Sequence, residues 1–305
     1  MLSAEFQRSA PGAGDFTLAL SVCLSFDFDA SSVWIGSMGM KSPSAISRGE
    51  FGVIGAARIL ELLKREDIAS TWFIPGHTIE TYPDAARAVF EAGHEIGHHN
   101  YCHENPRSLS PEQELAVLER GIDCIQQLTG SPPTGFRSPA WDLTSRSVGF
   151  LCDLGFLYDS SLMGSDFEPY YCRVGDEVVT DGPFRFGERV PFVELPVDWS
   201  LDDWPYFGLN WNSHHVGLRT PDEVYKIWAA EFDFAYAMEN DAVFTLTMHP
   251  QIMGRGHRLT MLQRLIEYMK GHAGIRFRMM AGVADEWKTA HPLGTQQFAT
   301  ERRQG

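Results

Sequence analysis

The stretch LALSVCLSFDFD, residues 18–29, decides the fold. Residues 18–26 are apolar and β-favouring, and the run stops at two acids, Asp27 and Asp29. A strand places i and i+2 on one face, so both carboxylates share a side if the strand persists that far. Aspartate also ends strands by starting turns. That ordinary role explains one acid better than two behind so apolar a run.

Working outward, strand-like and helix-like runs alternate. Residues 51–66 carry apolar side chains at helical spacing (Ile54, Ala57, Ile59, Leu60, Leu62, Leu63). Residues 69–74 form a short strand. Residues 84–92 form a helix that Gly93 ends, and 95–98 a strand running into histidines. Ser110 is a good N-cap, with Pro111 at the first helical position and Gln113 where a capping box needs it; this helix ends near Thr129 and Gly130. Further strands are expected at 134–137, 156–158, 192–197, 242–248 and 275–278, and helices at 145–154, 222–238 and 257–270. Such alternation predicts an α/β fold with a parallel sheet wrapped by helices. Polar residues follow the strands: Asp27, Asp29, His99, His103, Arg137, Asp198 and His249. In a barrel those strand ends meet on one face, where active sites sit. We therefore expect one barrel domain over residues 17–290, an N-terminal extension at 1–16 and a C-terminal tail at 291–305.

The 305 residues are 44% hydrophobic and 12% aromatic, enough for a large core. The net charge of -15 argues against nucleic acid and anionic membrane surfaces as partners. It also weakly disfavours a polyanionic cell-wall substrate. No basic segment leads into an apolar one near Met1, and no run of about 18 apolar residues occurs. The five cysteines are widely spaced and lack a Cys-x-x-Cys pattern, which suits reduced thiols in the cytoplasm. Apolar residues at expected surface positions point to a homo-oligomer.

His99 and His103 lie four residues apart, and so do His94 and His98; spacing alone does not choose between the pairs. Two imidazoles plus one carboxylate make a divalent-metal site, zinc by its donor set, with a position left open for water. Arg137 ends a strand and is suited to holding a carboxylate through paired hydrogen bonds. His249 follows a strongly apolar strand, where a lone histidine is more often structural. Trp199, Trp204, Trp211, Tyr206 and Phe207 crowd one loop region. Aromatic faces stack on sugars or flat imide rings, although a packed lid explains them equally well. Glu50, Trp141, Trp204 and Tyr206 are the candidate substrate-binding residues, with Arg48 beside Glu50.

Five segments together resemble the motifs of the polysaccharide deacetylase family, the NodB-homology or carbohydrate esterase 4 group. They are SFDFD (residues 25–29), EIGHHNYCH (95–103), FRSP (136–139), LPVD (195–198) and LTMH (246–249), in the family's order. The alignment selects His99 and His103 over the rival pair. The resemblance implies a distorted (β/α) barrel and a divalent metal, usually zinc, held by Asp29, His99 and His103. It implies Asp27 as general base, Arg137 orienting it and His249 as general acid. Asp198 is the candidate partner that fixes the His249 tautomer.

The chain departs from the pattern in several places. Phe28 separates two aspartates that are usually adjacent. Asn100 replaces Ser or Thr, and Glu104 stands where proline is common. With RGEFG (48–52) and SLDDWPY (200–206), these features resemble a branch of intracellular peptidoglycan-deacetylase-like and cyclic imide or allantoin hydrolase proteins. The expected activity is metal-dependent hydrolysis of a non-peptide C–N bond, by N-deacetylation of an N-acetylated sugar or related amide. The alternative is ring opening of a small cyclic imide or ureide. The substrate is a saccharide or small molecule in either case.

Overall fold

In the computed structural model the described residues are 20–208, 218–238 and 242–294. The expected extension at 1–16, Trp211 and the end of the expected tail lie outside them. The elements, in chain order, are β1 (Leu20–Asp27), α1 (Pro43–Glu66), β2 (Thr71–Ile74), α2 (Gly76–Thr81), α3 (Pro83–Glu91), β3 (Glu95–His98), α4 (Pro111–Thr129), β4 (Gly135–Phe136), α5 (Ser147–Asp153), β5 (Tyr158–Asp159), β6 (Tyr170–Val174), β7 (Glu188–Glu194), α6 (Trp204–Phe207), α7 (Pro221–Ala237), β8 (Val243–Met248), α8 (Pro250–Met253), α9 (Gly256–Lys270), β9 (Ile275–Phe277) and α10 (Met280–Ala290).

One nine-stranded sheet runs β6-β7-β5-β4-β3-β2-β1-β8, with β9 also on β1. β1 is its centre: Ser25–Asp27 pair with β2, Leu20–Val22 with β9 and Ser21–Phe26 with β8, all in parallel. β1 is buried along its length except at Ser21, which is why its sequence reads as an unbroken apolar run. Phe26 packs on Trp72 with ring centroids 4.7 Å apart. Burial of side chains this size contributes about 1.5–3 kcal/mol each. The sheet is not wholly parallel, because β6 and β7 pair antiparallel. Beyond β7 the chain reaches Asp202, which forms an isolated parallel bridge to Thr247 of β8. A single bridge thus joins the two flanks of the curled sheet, the distortion expected of this barrel.

Helix α1 starts earlier than its apolar spacing suggests. Ser42 caps it by accepting from the Ala45 amide, so residues 43–50 extend the expected helix. Gly49, Gly52 and Gly55 lie inside α1 and disfavour helix by about 1 kcal/mol each. Their use is close approach. A Cβ at Gly49 would stand 2.4 Å from Ser31 Cα, and one at Gly55 would stand 2.0 Å from the Pro250 carbonyl oxygen. The glycine face thereby seats α1 against the loop after β1 and the turn after β8. Helix α4 begins with the predicted capping box of Ser110 and Gln113.

Candidate active site

The chemistry-bearing residues all follow the C-terminal ends of strands. Asp27 ends β1, and Asp29 follows two residues later. His99 follows β3, Arg137 follows β4 and His249 follows β8. The loops that carry them are strained. Six described non-glycine residues have positive φ, and five lie in these loops: Ala30, Asn100, His103, Ala140 and Trp141. Such backbone costs on the order of 1–3 kcal/mol per residue and persists where the surroundings enforce it.

Asp29, His99 and His103 converge, and all three are buried. The His99 Nδ1–H donates to the Arg137 carbonyl at 2.7 Å. The Ser37 hydroxyl donates to the His103 carbonyl and accepts from His103 Nδ1, both at 2.6 Å. Each imidazole therefore turns a bare Nε2 lone pair toward Asp29 Oδ1, at 3.4 Å from His99 and 3.7 Å from His103. Neither Asp29 Oδ1 nor His99 Nε2 has a hydrogen-bond donor. Buried acceptors facing one another without a proton between them are costly, and a cation relieves that cost. Burial pushes the His103 imidazole down to about 4, so it is neutral near pH 7. Two imidazole nitrogens and a carboxylate oxygen, brought together with no proton between them, fit a divalent metal ion.

Asp27 is anchored differently. Its Oδ1 accepts from Arg137 Nη1 at 2.8 Å. Arg137 is fully buried, and it also donates to Ser25 Oγ, Ser160 O and Ser160 Oγ while lying over the Phe73 ring. Asp27 Oδ2 lies 3.9 Å from both His99 Nε2 and His249 Nε2.

The expected partner of His249 needs correction. Asp198 is exposed, and it caps a short turn by accepting from the Ser200 amide at 2.6 Å. Asp203 takes the place assigned to it: Oδ1 lies 2.6 Å from His249 Nδ1, and Oδ2 accepts from the His249 amide at 2.9 Å. The turn spends Asp198, and the bridge to β8 then delivers the next acids to the barrel mouth. Burial alone would lower the His249 pKa, but Asp203 and Asp202 raise it to about 10.

The candidate substrate residues divide. Trp204 lies at the site, its ring 5.1 Å from that of His249. Trp141 is buried and stacks on the half-exposed Trp199 with ring centroids 4.3 Å apart. Tyr206 turns its hydroxyl to the Ser200 carbonyl at 3.1 Å. Glu50 is exposed on α1 and does not line the neighbouring cleft, whereas Arg48 does. The rival histidines serve the core: the Ser70 amide donates to His94 Nδ1, and His98 Nε2–H donates to Leu118 O at 3.0 Å. Gln251 escaped notice in the sequence, although its Nε2 donates to Asp29 Oδ2 at 3.1 Å. Its place in His249-Pro250-Gln251, two residues past a motif, was the available signal.

Comparison with known proteins identifies the family. Residues 54–158 match the polysaccharide deacetylase family model. A peptidoglycan deacetylase of Helicobacter pylori is 37% identical over 284 residues, which cover 89% of this chain and 97% of that protein. The peptidoglycan deacetylase-like protein FGM2 of Gibberella zeae is 32% identical, over 82% of this chain and 81% of its own. Among solved structures, one from Mycobacterium smegmatis assigned to the polysaccharide deacetylases superposes with a TM-score of 0.77 at 29% identity, covering 96% of this chain and 100% of that one. The PuuE allantoinase shares the fold, with a TM-score of 0.75 at 23% identity over 95% of this chain and 99% of its own. Sequence and fold thus agree that the chain belongs to the polysaccharide deacetylase family.

Proposed function

We propose that this protein hydrolyses the acetamide C–N bond of an N-acetylated sugar, with a divalent cation held by Asp29, His99 and His103. One observation carries the proposal: the buried, proton-free convergence of two imidazole nitrogens on a carboxylate oxygen. The mixed nitrogen and oxygen donor set favours zinc. Such a cation supplies Lewis acidity, drawing electron density from oxygens brought to it.

The chain's own residues supply the proton transfers. Arg137 occupies Asp27 Oδ1, which leaves Oδ2 as the base that accepts a proton from the attacking water. The water oxygen bonds to the acyl carbon, and the C–N bond breaks. Asp203 keeps the Nδ1 proton of His249 in place, so Nε2–H delivers a proton to the departing nitrogen. The products are acetate and a free amine. Trp204 and the Trp141–Trp199 stack provide flat apolar faces for a sugar ring.

Ring opening of a small cyclic imide or ureide is the competing proposal. It is favoured by the chain's net charge of -15, which repels a polyanionic polymer, and by an aromatic cleft beside the site, where Trp34 and Trp204 lie 5.9 Å apart. The discriminating experiment offers purified, metal-analysed protein both N-acetylglucosamine oligomers and a hydantoin. Acetate release with no ring opening is expected, and the reverse sinks the deacetylase proposal. In the same assay His99→Ala loses bound metal and turnover together, whereas Asp27→Asn keeps metal and loses about 10²–10⁴ in turnover.

Location and assembly belong to the same proposal. All five cysteines are unpaired, which suits a reducing compartment. No described helix is long and apolar enough to cross a membrane. Exposed Val178, Phe184 and Phe186 between β6 and β7 favour a homo-oligomeric contact.

A further inference from the structure

An open cleft of about 190 Å³ adjoins the site, smaller than a usual small-molecule pocket and of a size to take one substituent of a larger substrate. Gln251 and Trp204 form its shared wall: the first touches Asp29, and the second touches His249. Arg48, Arg255 and Arg258 also line it. Three arginines in one cleft are unexpected in a chain of net charge -15. Among the described residues, no carboxylate lies within salt-bridge distance of any of the three. Arg255 lies over the Phe51 ring at 3.4 Å and Arg258 over the Phe207 ring at 4.5 Å. Arg258 Nε is buried with no acceptor. The charge of Asp203 reaches Arg258, but both Asp203 oxygens are engaged by His249.

Two further observations point the same way. Helix α9 opens beside the cleft with no side-chain cap and no acid in its first turn. The positive end of that helix, with Arg258 in its first turn, favours an anion. Gln251 is 4% exposed, and its Oε1 has no donor while its Nε2 is committed to Asp29. That oxygen awaits an N–H or hydroxyl of a ligand reaching from the cleft to the site.

We propose that the Arg48–Arg255–Arg258 cleft is a carboxylate subsite, selecting amide substrates that bear a carboxylate close to the scissile bond. A planar carboxylate matches the guanidinium fork, and Trp34 and Trp204 flank the apolar part of the ligand. The inference rests on the hydrolase proposal for its meaning in catalysis, but not for binding. The carboxylate belongs either to a sugar or to a small acyclic amide, and paired probes separate these sources.

The test is calorimetric titration of the metal-loaded protein with two pairs: N-acetylmuramic acid against N-acetylglucosamine, and N-acetylglycine against its neutral amide. In at least one pair the carboxylated member binds tighter by about tenfold or more, the range expected of a charge-assisted contact. Arg48→Met and Arg255→Met each reduce that preference, and raising ionic strength reduces it in the native protein. Equal binding within both pairs, or a preference untouched by both substitutions, overturns the subsite. Acetate release is measured in parallel. If neither acetylated sugar is cleaved yet the arginine-dependent preference remains, the deacetylase proposal fails and the subsite stands. If both sugars are cleaved and neither pair shows a preference for its carboxylated member, the subsite fails and the deacetylase proposal stands.

Discussion

Asp198 and Asp203 lie five positions apart, and one turn decides which of them serves His249. Asp203 holds both the Nδ1 and the backbone amide of His249, so it fixes ring orientation and tautomer together. Replacing Asp203 with Asn keeps the shape but offers the imidazole the wrong partner atom. We expect Asp203→Asn to retain metal and lose up to about 10⁴ in turnover, the loss known for a mis-set histidine tautomer. Asp198→Asn should change turnover little, because the side chain faces solvent. Steady-state rates and metal analysis of the two variants check this; equal losses would return Asp198 to the site.

At the scale of the element, the loop after β3 depends on a neutral His98. Its Nε2–H donates to Leu118 O, and its Nδ1 accepts the Asn100 amide, so a second proton would set two donors against each other. Burial pushes His98 down to about 3. The unfolded chain takes up that proton near pH 6.5 and the folded chain does not, so the stability is full above 6.5 and drains away as pH falls toward 3. The loss reaches about 1.4 kcal/mol per pH unit for this one group. Denaturant midpoints from pH 7 to 4 should fall accordingly, and His98→Asn should flatten that slope. Packing of α1 gives a second test. Gly55→Ala drives a methyl against the Pro250 carbonyl and should cost about 1–3 kcal/mol, with turnover falling as the His249 turn shifts. Gly149→Ala, in α5 with nothing within 4 Å, should instead stabilise by up to about 1 kcal/mol. Thermal unfolding of both variants measures the contrast.

For the whole molecule, two described surface features stand out against the net charge of -15: the arginine-lined cleft, and the exposed apolar segment between β6 and β7. Val178 is 81% exposed and Phe186 71%, and Phe186 lies against Phe184 and Arg173 of its own hairpin. A mass above that of the 34.2 kDa chain is expected from light scattering, and Phe186→Ser should return it to monomer. An unaltered mass in that variant would place the contact elsewhere.

Much of the architecture was legible along the chain because it rests on local physics. The apolar run of β1, the capping box of α4 and the order of strand-ending motifs each follow from a few neighbouring residues. The convergence of Asp27, Asp29, His99, His103, Arg137 and His249 was legible for a related reason: each lies at a strand end or in the loop just beyond one. Helix α1 was read too short, since its glycines make sense only against the Ser31 and Pro250 backbones. The partner of His249, the reach of Gln251 to Asp29 and the gathering of Arg48 with Arg255 and Arg258 were settled by tertiary structure alone. Each joins segments far apart in sequence, through a turn whose path local propensity does not fix. The sequence determined which strands end in chemistry; the curling of the sheet decided which side chains meet there.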